Sequence, residues 1–455
     1  MDHHKLMMQT GGFGPTAFAN FLGANALPSF LALSRAGGAM MFDSTGALVW
    51  APENHVIQSS NFDNVAWAKS AGGVGSAPVI TPNAGVAPDG SLTADRAVFA
   101  LNGGATATDR SDLSMSTGAL IGTAINSFYV KSFDGVSSYN ILILSPTAGQ
   151  LLVAVTSSWT RVNVSGSNGS GLIGLRLRGT VGTSNSADIL VWGAQEEGVT
   201  YQTTPSAYNP TTSAAYYGPR FDYTPVTLIP LGLLAESAGT NAVLQCRDMT
   251  NVAWTKTNAT AVKDQTGIDG VASSASRITA SAANGTVLQA ITLASSARFQ
   301  SAYVKRLVGA GVINMTMDNG ATLTAITVTA AWTRVTIPTQ TLANPTVGFQ
   351  IVTNGDSIAV DFVQNETGTF ATSPIWTAAA VVTRATDVLS AGGLTSNPAI
   401  IQYRDEATGV RARKVINPWS VVSAETYEWI EQAAIYPVGT TATYLNAHLV
   451  VDGPY

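Results

Sequence analysis

Charge is scarce in this chain. Lys, Arg, Asp and Glu make up 11% of the 455 residues, against about 25% in a typical soluble domain. That scarcity excludes a disordered acidic or basic tail and a charge-laced coiled coil. The balance of 23 basic and 28 acidic side chains leaves a net charge of −5. A phosphate-binding surface over the whole molecule is thereby excluded, and no nucleic-acid partner is expected. Cysteine is nearly absent. Cys246 stands alone, so no intrachain disulfide can form and a cysteine-based zinc site is ruled out. The four histidines, His3, His4, His55 and His448, form no ligand-spaced cluster. Long apolar runs are missing as well. The most apolar stretch near the start, 17–34, is interrupted by Asn20, Asn25 and Pro28, so it falls short of a membrane span. Lys5 ahead of it gives the outline of a secretion signal, but Asn and Pro split the apolar core such a signal needs. The segment reads instead as a packing or docking piece, with no membrane insertion. No glycine-rich loop leads from a strand into a helix, so nucleotide binding has no support. Asp63, Asp89 and Asp95 could gather around calcium, but no loop of alternating Asp and Asn ligands ends in Glu. Neither a cofactor nor a metal is expected.

What the chain does have is alternation. In 159–164, Thr160, Val162 and Val164 point one way, and Trp159, Arg161 and Asn163 the other. Ile313, Met315 and Met317 alternate with Asn314, Thr316 and Asp318. Val347, Phe349 and Ile351 share a face, as do Ile358, Val360 and Phe362. A period of two is the mark of half-buried strands. Turn signals are dense, with 43 Gly and 19 Pro, including Asp89-Gly90, Asn319-Gly320 and Asn354-Gly355. Amphipathic helices are scarce. The pattern predicts a mainly β fold of antiparallel sandwiches.

The chain also repeats itself. Asn64-Val65-Ala66-Trp67-Ala68-Lys69 returns as Asn251-Val252-Ala253-Trp254-Thr255-Lys256, an offset of 187. Asp89-Gly90 matches Asp269-Gly270 at 180, and Tyr129-Val130-Lys131 matches Tyr303-Val304-Lys305 at 174. Trp159-Thr160-Arg161-Val162 matches Trp332-Thr333-Arg334-Val335 at 173, and Gln195 and Pro205 match Gln364 and Pro374 at 169. The order holds while the offset shrinks, as when a second copy has shorter surface loops. Each copy is long enough, at about 150 residues, for a jelly roll with its own core.

Five pieces are therefore expected: an N-terminal docking segment at 1–51, one jelly-roll module at 52–210, a connector at 211–239, a second module at 240–380, and a small C-terminal β-domain at 381–455. The connector carries Pro219, Pro225 and Pro230 and reads as extended and semi-rigid. In the last piece, 400–403 and 410–416 look like a hairpin turned at 405–409, and 442–451 reads as a further strand.

Several of these segments resemble tailed-bacteriophage virion proteins, particularly tail-fibre and minor structural proteins with carbohydrate-binding-module-like jelly rolls. The resemblance rests on Ser34-Arg35-Ala36 followed by Phe42-Asp43-Ser44-Thr45-Gly46-Ala47-Leu48. It rests equally on Pro219-Arg220-Phe221-Asp222-Tyr223-Thr224-Pro225-Val226-Thr227, then Gly232-Leu233-Leu234-Ala235-Glu236 and Thr240-Asn241. The module motif runs from Asn64 to Lys69, through Ala87-Pro88-Asp89-Gly90-Ser91-Leu92-Thr93-Ala94-Asp95, to a closing Gln-Glu and Thr-Thr-Pro. Coverage is about residues 34–390. Gly239 stands where the connector pattern has Arg. The second module lacks the Pro before Asp269-Gly270 and the Thr-Ala-Asp after it, so ligand binding is expected to differ between copies.

Candidate chemistry is sparse. Trp67 and Trp254 could stack on sugar rings, but a tryptophan at the module boundary reads as a core anchor. Trp159 and Trp332 stand out of phase with the valine face of their strands, which makes them the candidate glycan-binding or interface aromatics. Acidic pairs occur at Glu196-Glu197, Asp405-Glu406 and Asp109/Asp112. A glycosidase sets two carboxylates about 5–10 Å apart across a cleft, whereas neighbours on a strand point to opposite faces, so catalysis is not expected. Arg404, Arg411, Arg413 and Lys414 crowd one hairpin and read as a solvated face with cross-strand pairs to Asp405 and Glu406.

The resemblance implies a non-enzymatic structural component of a virion, a tail or head fibre or decoration protein contributing to host attachment. It implies a homotrimer that contacts other virion proteins through 1–51. Two alternatives remain: a receptor-binding protein that holds host-surface glycan in its jelly rolls, and a polysaccharide depolymerase.

Overall fold

The computed structural model describes residues 15–144, 150–167, 171–394, 396–405, 410–416, 422–423 and 428–436. Among these the regular elements are all strands. The histidines at 3, 4 and 448, Glu406 and the strand expected at 442–451 lie outside them. The chain divides into two compact units, Pro52–Tyr217 and the combination of Met1–Ala51 with Gly218–Tyr455.

The first unit is a sandwich of ten strands: β1 (Ala68–Gly72), β2 (Ser76–Gly85), β3 (Ala94–Ala100), β4 (Arg110–Ser116), β5 (Thr123–Ser132), β6 (Tyr139–Leu144), β7 (Gln150–Val155), β8 (Thr160–Ser167), β9 (Leu172–Arg178) and β10 (Ser186–Val199). They form two five-stranded antiparallel sheets in the orders β8-β5-β10-β3-β2 and β7-β6-β9-β4-β1. Ala97, Phe99, Leu113, Phe128, Ile143, Leu175 and Val191 meet in its core, because alternate residues of each strand face inward.

The second unit contains a sandwich built to the same plan: β11 (Thr255–Thr257), β12 (Ala259–Gln265), β13 (Ala275–Ala280), β14 (Gly285–Ala290), β15 (Ser296–Val308), β16 (Ile313–Thr316), β17 (Thr324–Ile326), β18 (Thr333–Leu342), β19 (Thr346–Ile351) and β20 (Ser357–Thr367). Its sheets run β18-β15-β20-β13-β12 and β17-β16-β19-β14-β11. Adding ten to each label of the first sandwich reproduces the second. Even an irregularity is kept. The β5–β10 pairing slips between Ser127 and Tyr129, and the β15–β20 pairing slips between Ser301 and Tyr303, at the same offset of 174. The fold is two tandem jelly-roll sandwiches, and duplication is visible in its topology.

The chain outside the sandwiches does not form separate pieces. Ala17–Asn20 pairs with Glu428–Ile435, which also pairs with Pro230–Ala235 and with Ala399–Asp405. Leu31–Ser34 pairs with Val388–Ala391. The N-terminal residues, the connector and the C-terminal residues thus interleave around one core of Phe21, Leu31, Phe221, Leu233, Leu389, Ile401 and Ile430. The physical reason is that each of these short strands has one apolar face, too small to be covered alone. The connector is not extended throughout: Phe221–Tyr223 and Pro230–Ala235 make a hairpin. A second hairpin, Met40–Phe42 with Leu48–Trp50, sends Met40, Phe42 and Leu48 into the core of the second sandwich.

The basic hairpin forms, Ala399–Asp405 against Arg411–Ile416, and it gains a charge partner from outside the hairpin. Arg404 and Arg411 reach Glu431 at 3.2 and 2.9 Å. Arg413 donates to Gln402 Oε1 at 3.2 Å, and Lys414 lies over the Tyr403 ring. A third strand beside the hairpin supplies Glu431, which local sequence could not reveal.

Candidate functional site

The repeated Asn-Val-Ala-Trp motif is a staple. Trp67 and Trp254 are each 1% exposed, so neither offers a face to a sugar. The Trp67 indole N–H donates to Gln58 O at 3.0 Å and that of Trp254 to Gln245 O at 3.1 Å. Lys69 and Lys256 cap the same turn by donating to the carbonyls of Asn64 and Asn251 at 2.7 and 2.9 Å. Asp89 and Asp269 serve turns, accepting from Ser91 N and Val271 N. Asp95 accepts from the backbone of Phe62 and Asn83, and among the described residues no group of three His, Cys, Asp or Glu could hold a metal ion. Glu197 is buried and accepts from Ser206 N at 2.7 Å. Glu366, at the matching position, accepts from Thr372 N at 2.9 Å. Burial pushes both carboxyls above their ordinary range, against these hydrogen bonds. They brace loops.

Trp159 and Trp332 occupy matching corners, each just before an edge strand, β8 or β18. Around them Tyr129 and Tyr303 lie under the guanidiniums of Arg161 and Arg334, at 5.2 and 5.7 Å from the ring centroids. Each arginine also donates to a loop carbonyl, Ser206 O or Thr372 O, and to the hydroxyl of Ser127 or Ser301. From there the copies part. In the first sandwich Trp159 donates to Val86 O at 3.1 Å and packs with Ala87, Leu190, Trp192 and Tyr208. Trp192 and Tyr208 sit 4.6 Å apart, and the Tyr208 hydroxyl bonds Ser59 Oγ at 2.6 Å. The corner is filled by the chain itself.

In the second sandwich Asp361 takes the place of Trp192, 169 residues on. It turns inward to Arg247 at 2.7 Å. The backbone that aims it is strained: Gly193 has φ of 62°, and Phe362, at the matching position, has φ of 43°, a region that a bulky side chain rarely adopts. With that aromatic gone the corner is open. A cavity of about 430 Å³ lies there, lined by Phe42, Tyr303, Trp332 and Trp429 with Asp222 and Arg334 among its polar groups. Its size falls in the range of about 300–1,000 Å³ typical of ligand pockets. Lys305, which does not line the cavity, covers the Trp332 ring from 4.9 Å. Among the described residues the Trp332 indole N–H has no hydrogen-bond partner.

Asp222 orders one wall. It accepts from Phe42 N at 2.7 Å and from the Trp429 indole N–H at 2.8 Å, which fixes both aromatic groups. Burial pushes its carboxyl up to about 6, against the pull of these donors and of Arg220. An aromatic floor with a few fixed polar groups can hold the apolar C–H face of a pyranose ring while hydrogen-bonding its hydroxyls. Sequence reasoning singled out Trp332 but missed Phe42, Asp222, Tyr303, Arg334 and Trp429. The matched Tyr-Val-Lys and Trp-Thr-Arg-Val motifs already contained Tyr303 and Arg334. No local signal marks Trp429, which arrives from a distant strand.

No protein-family model matches this chain, and no curated protein matches it. Among solved structures, it is similar to the N-terminal CBM22-1–CBM22-2 tandem domain of Paenibacillus barcinonensis Xyn10C, with 14% identity, 75% of this chain and 98% of that chain covered, and a TM-score of 0.25. A Paenibacillus xanthan lyase is similar at 13% identity over 65% of this chain and 25% of its own, with a TM-score of 0.23.

Proposed function

We propose that this chain is a non-enzymatic glycan-binding protein whose binding groove is the aromatic cavity of the second sandwich. The observation that carries the reading is the convergence of Trp332, Tyr303 and Trp429 on one open cavity whose polar walls, Asp222 and Arg334, are held by other groups. Pre-ordered aromatic faces supply stacking area at little entropic cost. The buried, loop-bracing carboxylates give no support to a depolymerase.

The sequence resemblance over about 34–390 supports a setting for that binding: a phage virion, with the chain as a fibre or decoration protein contributing to host attachment. Homotrimeric assembly and contact with other virion proteins through 1–51 belong to the same reading. Its low charge suits a stiff, inert part.

A glycan array probed with the full chain and with Trp332→Ala tests the groove. Binding by the first and not the second is expected. Equal binding by both sinks it. Release of reducing ends from a bound polysaccharide would move the reading to the depolymerase. Silence on the array, with attachment to purified virions, would leave an inert structural part.

A further inference from the structure

The row of side chains that starts in the cavity continues past it. Pro230–Ala235 pairs with Glu428–Ile435, which pairs with Ala399–Asp405, which pairs with Arg411–Ile416. In this register Leu234 stands opposite Trp429, Trp429 opposite Arg404, and Arg404 opposite Arg411. Opposed residues point to the same face, and adjacent strands lie about 4.8 Å apart, so Arg404 stands about 5 Å and Arg411 about 10 Å beyond Trp429. Leu234 and Trp429 line the cavity. The other face of this sheet is taken by Leu233, Ile430 and Tyr403, which pack into the core. The two arginines therefore extend the groove along the open face.

Their chemistry differs from that of the cavity. Both converge on one carboxylate, Glu431, which is buried beneath them and also accepts from Gln402 Nε2 at 2.9 Å. Two guanidiniums over one carboxylate leave an excess of one positive charge on this face. Arg411 engages Glu431 through Nε, which leaves its Nη1 and Nη2 donors uncommitted among the described residues. The side chains of Arg404 and Arg411 are 26% and 43% exposed. In a chain of net charge −5, such a local excess is a feature of this one face. An arginine fork matches a carboxylate in shape and charge.

We propose that the groove takes an acidic saccharide, with one sugar ring in the aromatic cavity and the carboxylate of the same or the next ring on Arg404 and Arg411. The proposal rests on the groove reading and adds to it the class of sugar. A pyranose unit spans about one strand spacing, so the distances suit a neighbouring ring.

The test uses the full chain and three carboxylated polysaccharides, polygalacturonate, alginate and hyaluronate, each beside its carboxyl-reduced form. Binding to at least one acid form is expected, weakening as sodium chloride is raised and at least about tenfold weaker for the reduced polymer. Arg411→Gln is expected to lose a similar factor and Arg411→Lys an intermediate one, because lysine keeps the charge but not the fork. Because Arg411→Gln strips a partner from buried Glu431, the paired variant R411Q/E431Q serves as the folded control, and it too is expected to lose binding. Equal binding of acid and reduced forms, or wild-type binding by R411Q/E431Q, overturns the acidic-sugar assignment. The groove would then survive if Trp332→Ala still abolished binding. Loss in R411Q/E431Q with no change in Trp332→Ala would keep an anion site and sink the groove. No binding to any of the three acids overturns the proposal.

Discussion

Arg220 donates to the carboxylate of Asp387, 167 residues further along, and neither side chain is exposed. Around this pair gather Arg35, 2.8 Å from Asp387, and Glu236, which accepts from Arg220 and from Ser373 N. Arg384 lies 3.6 Å from Glu236. The cluster ties together the N-terminal segment, the connector hairpin and the strand after the second sandwich. Breaking a buried ion pair from one side costs about 3–5 kcal/mol, because the abandoned charge stays buried. Arg220→Met is therefore expected to lower the urea midpoint of the second unit by about that equivalent. An unchanged midpoint would show that the cluster contributes little.

Two carboxylates of this region give opposite pH dependences. Burial alone would raise Glu236, but Arg384 and Arg220 hold it down to about 2. Its stabilisation is present above its ordinary value of 4.5 and is lost as pH falls toward 2. Asp222 is raised from 3.8 to about 6, mainly by burial. Its stabilisation is present below 3.8 and is lost as pH rises through 6. A two-unit shift corresponds to about 2–3 kcal/mol. Asp222→Asn should therefore flatten the decline in urea midpoint between about pH 4 and pH 6. A decline of the same size in the variant would assign it to another group.

Much of this architecture was legible from alternation and repetition, and the reason is local. Val347, Phe349 and Ile351 are all buried because a strand must turn alternate residues inward, and a period of two reports that directly. The alternation at 313–318 implies a half-buried strand, yet Asn314 and Thr316 are buried as well. Asn314 is satisfied by Gln350 and Thr316 by Asp318, partners that no periodicity reveals. The site was legible only in part. Trp332 belongs to a repeated motif, whereas Trp429 and Asp222 meet it through sheet pairing between residues about two hundred positions apart. Long-range convergence of this kind leaves no mark in a short window of sequence. The pairing of Arg404 and Arg411 with Glu431 escaped for the same reason.

Cys246 offers a probe of the second unit. It is fully buried, and burial pushes its thiol up to about 11. The thiolate is the reactive form, so the native chain at pH 8 should not react with an aromatic disulfide reagent on the timescale of minutes. Reaction should appear in step with unfolding of this unit in urea. Rapid labelling of the native chain would mean that the unit opens locally around Cys246.

The unequal corners make the sharpest contrast between the two sandwiches. Trp159 is tied to Val86 O and packed against Trp192 and Tyr208, so its ring already spends its area on the protein. Trp332 borders an open cavity. Trp159→Ala should therefore cost stability in the first unit, within the range of about 3–5 kcal/mol for truncating a packed tryptophan or less for one half-exposed, and leave glycan affinity unchanged. Trp332→Ala should cost at least about tenfold in affinity, consistent with the weight that aromatic anchors carry in binding, with some loss of stability in the second unit because the ring also packs on its core. Titration calorimetry with a binding oligosaccharide and urea unfolding of both variants separate the cases. A stoichiometry of two sites per chain, or a loss of affinity in Trp159→Ala, would mean that the first sandwich opens its own corner to ligand by moving Tyr208 aside.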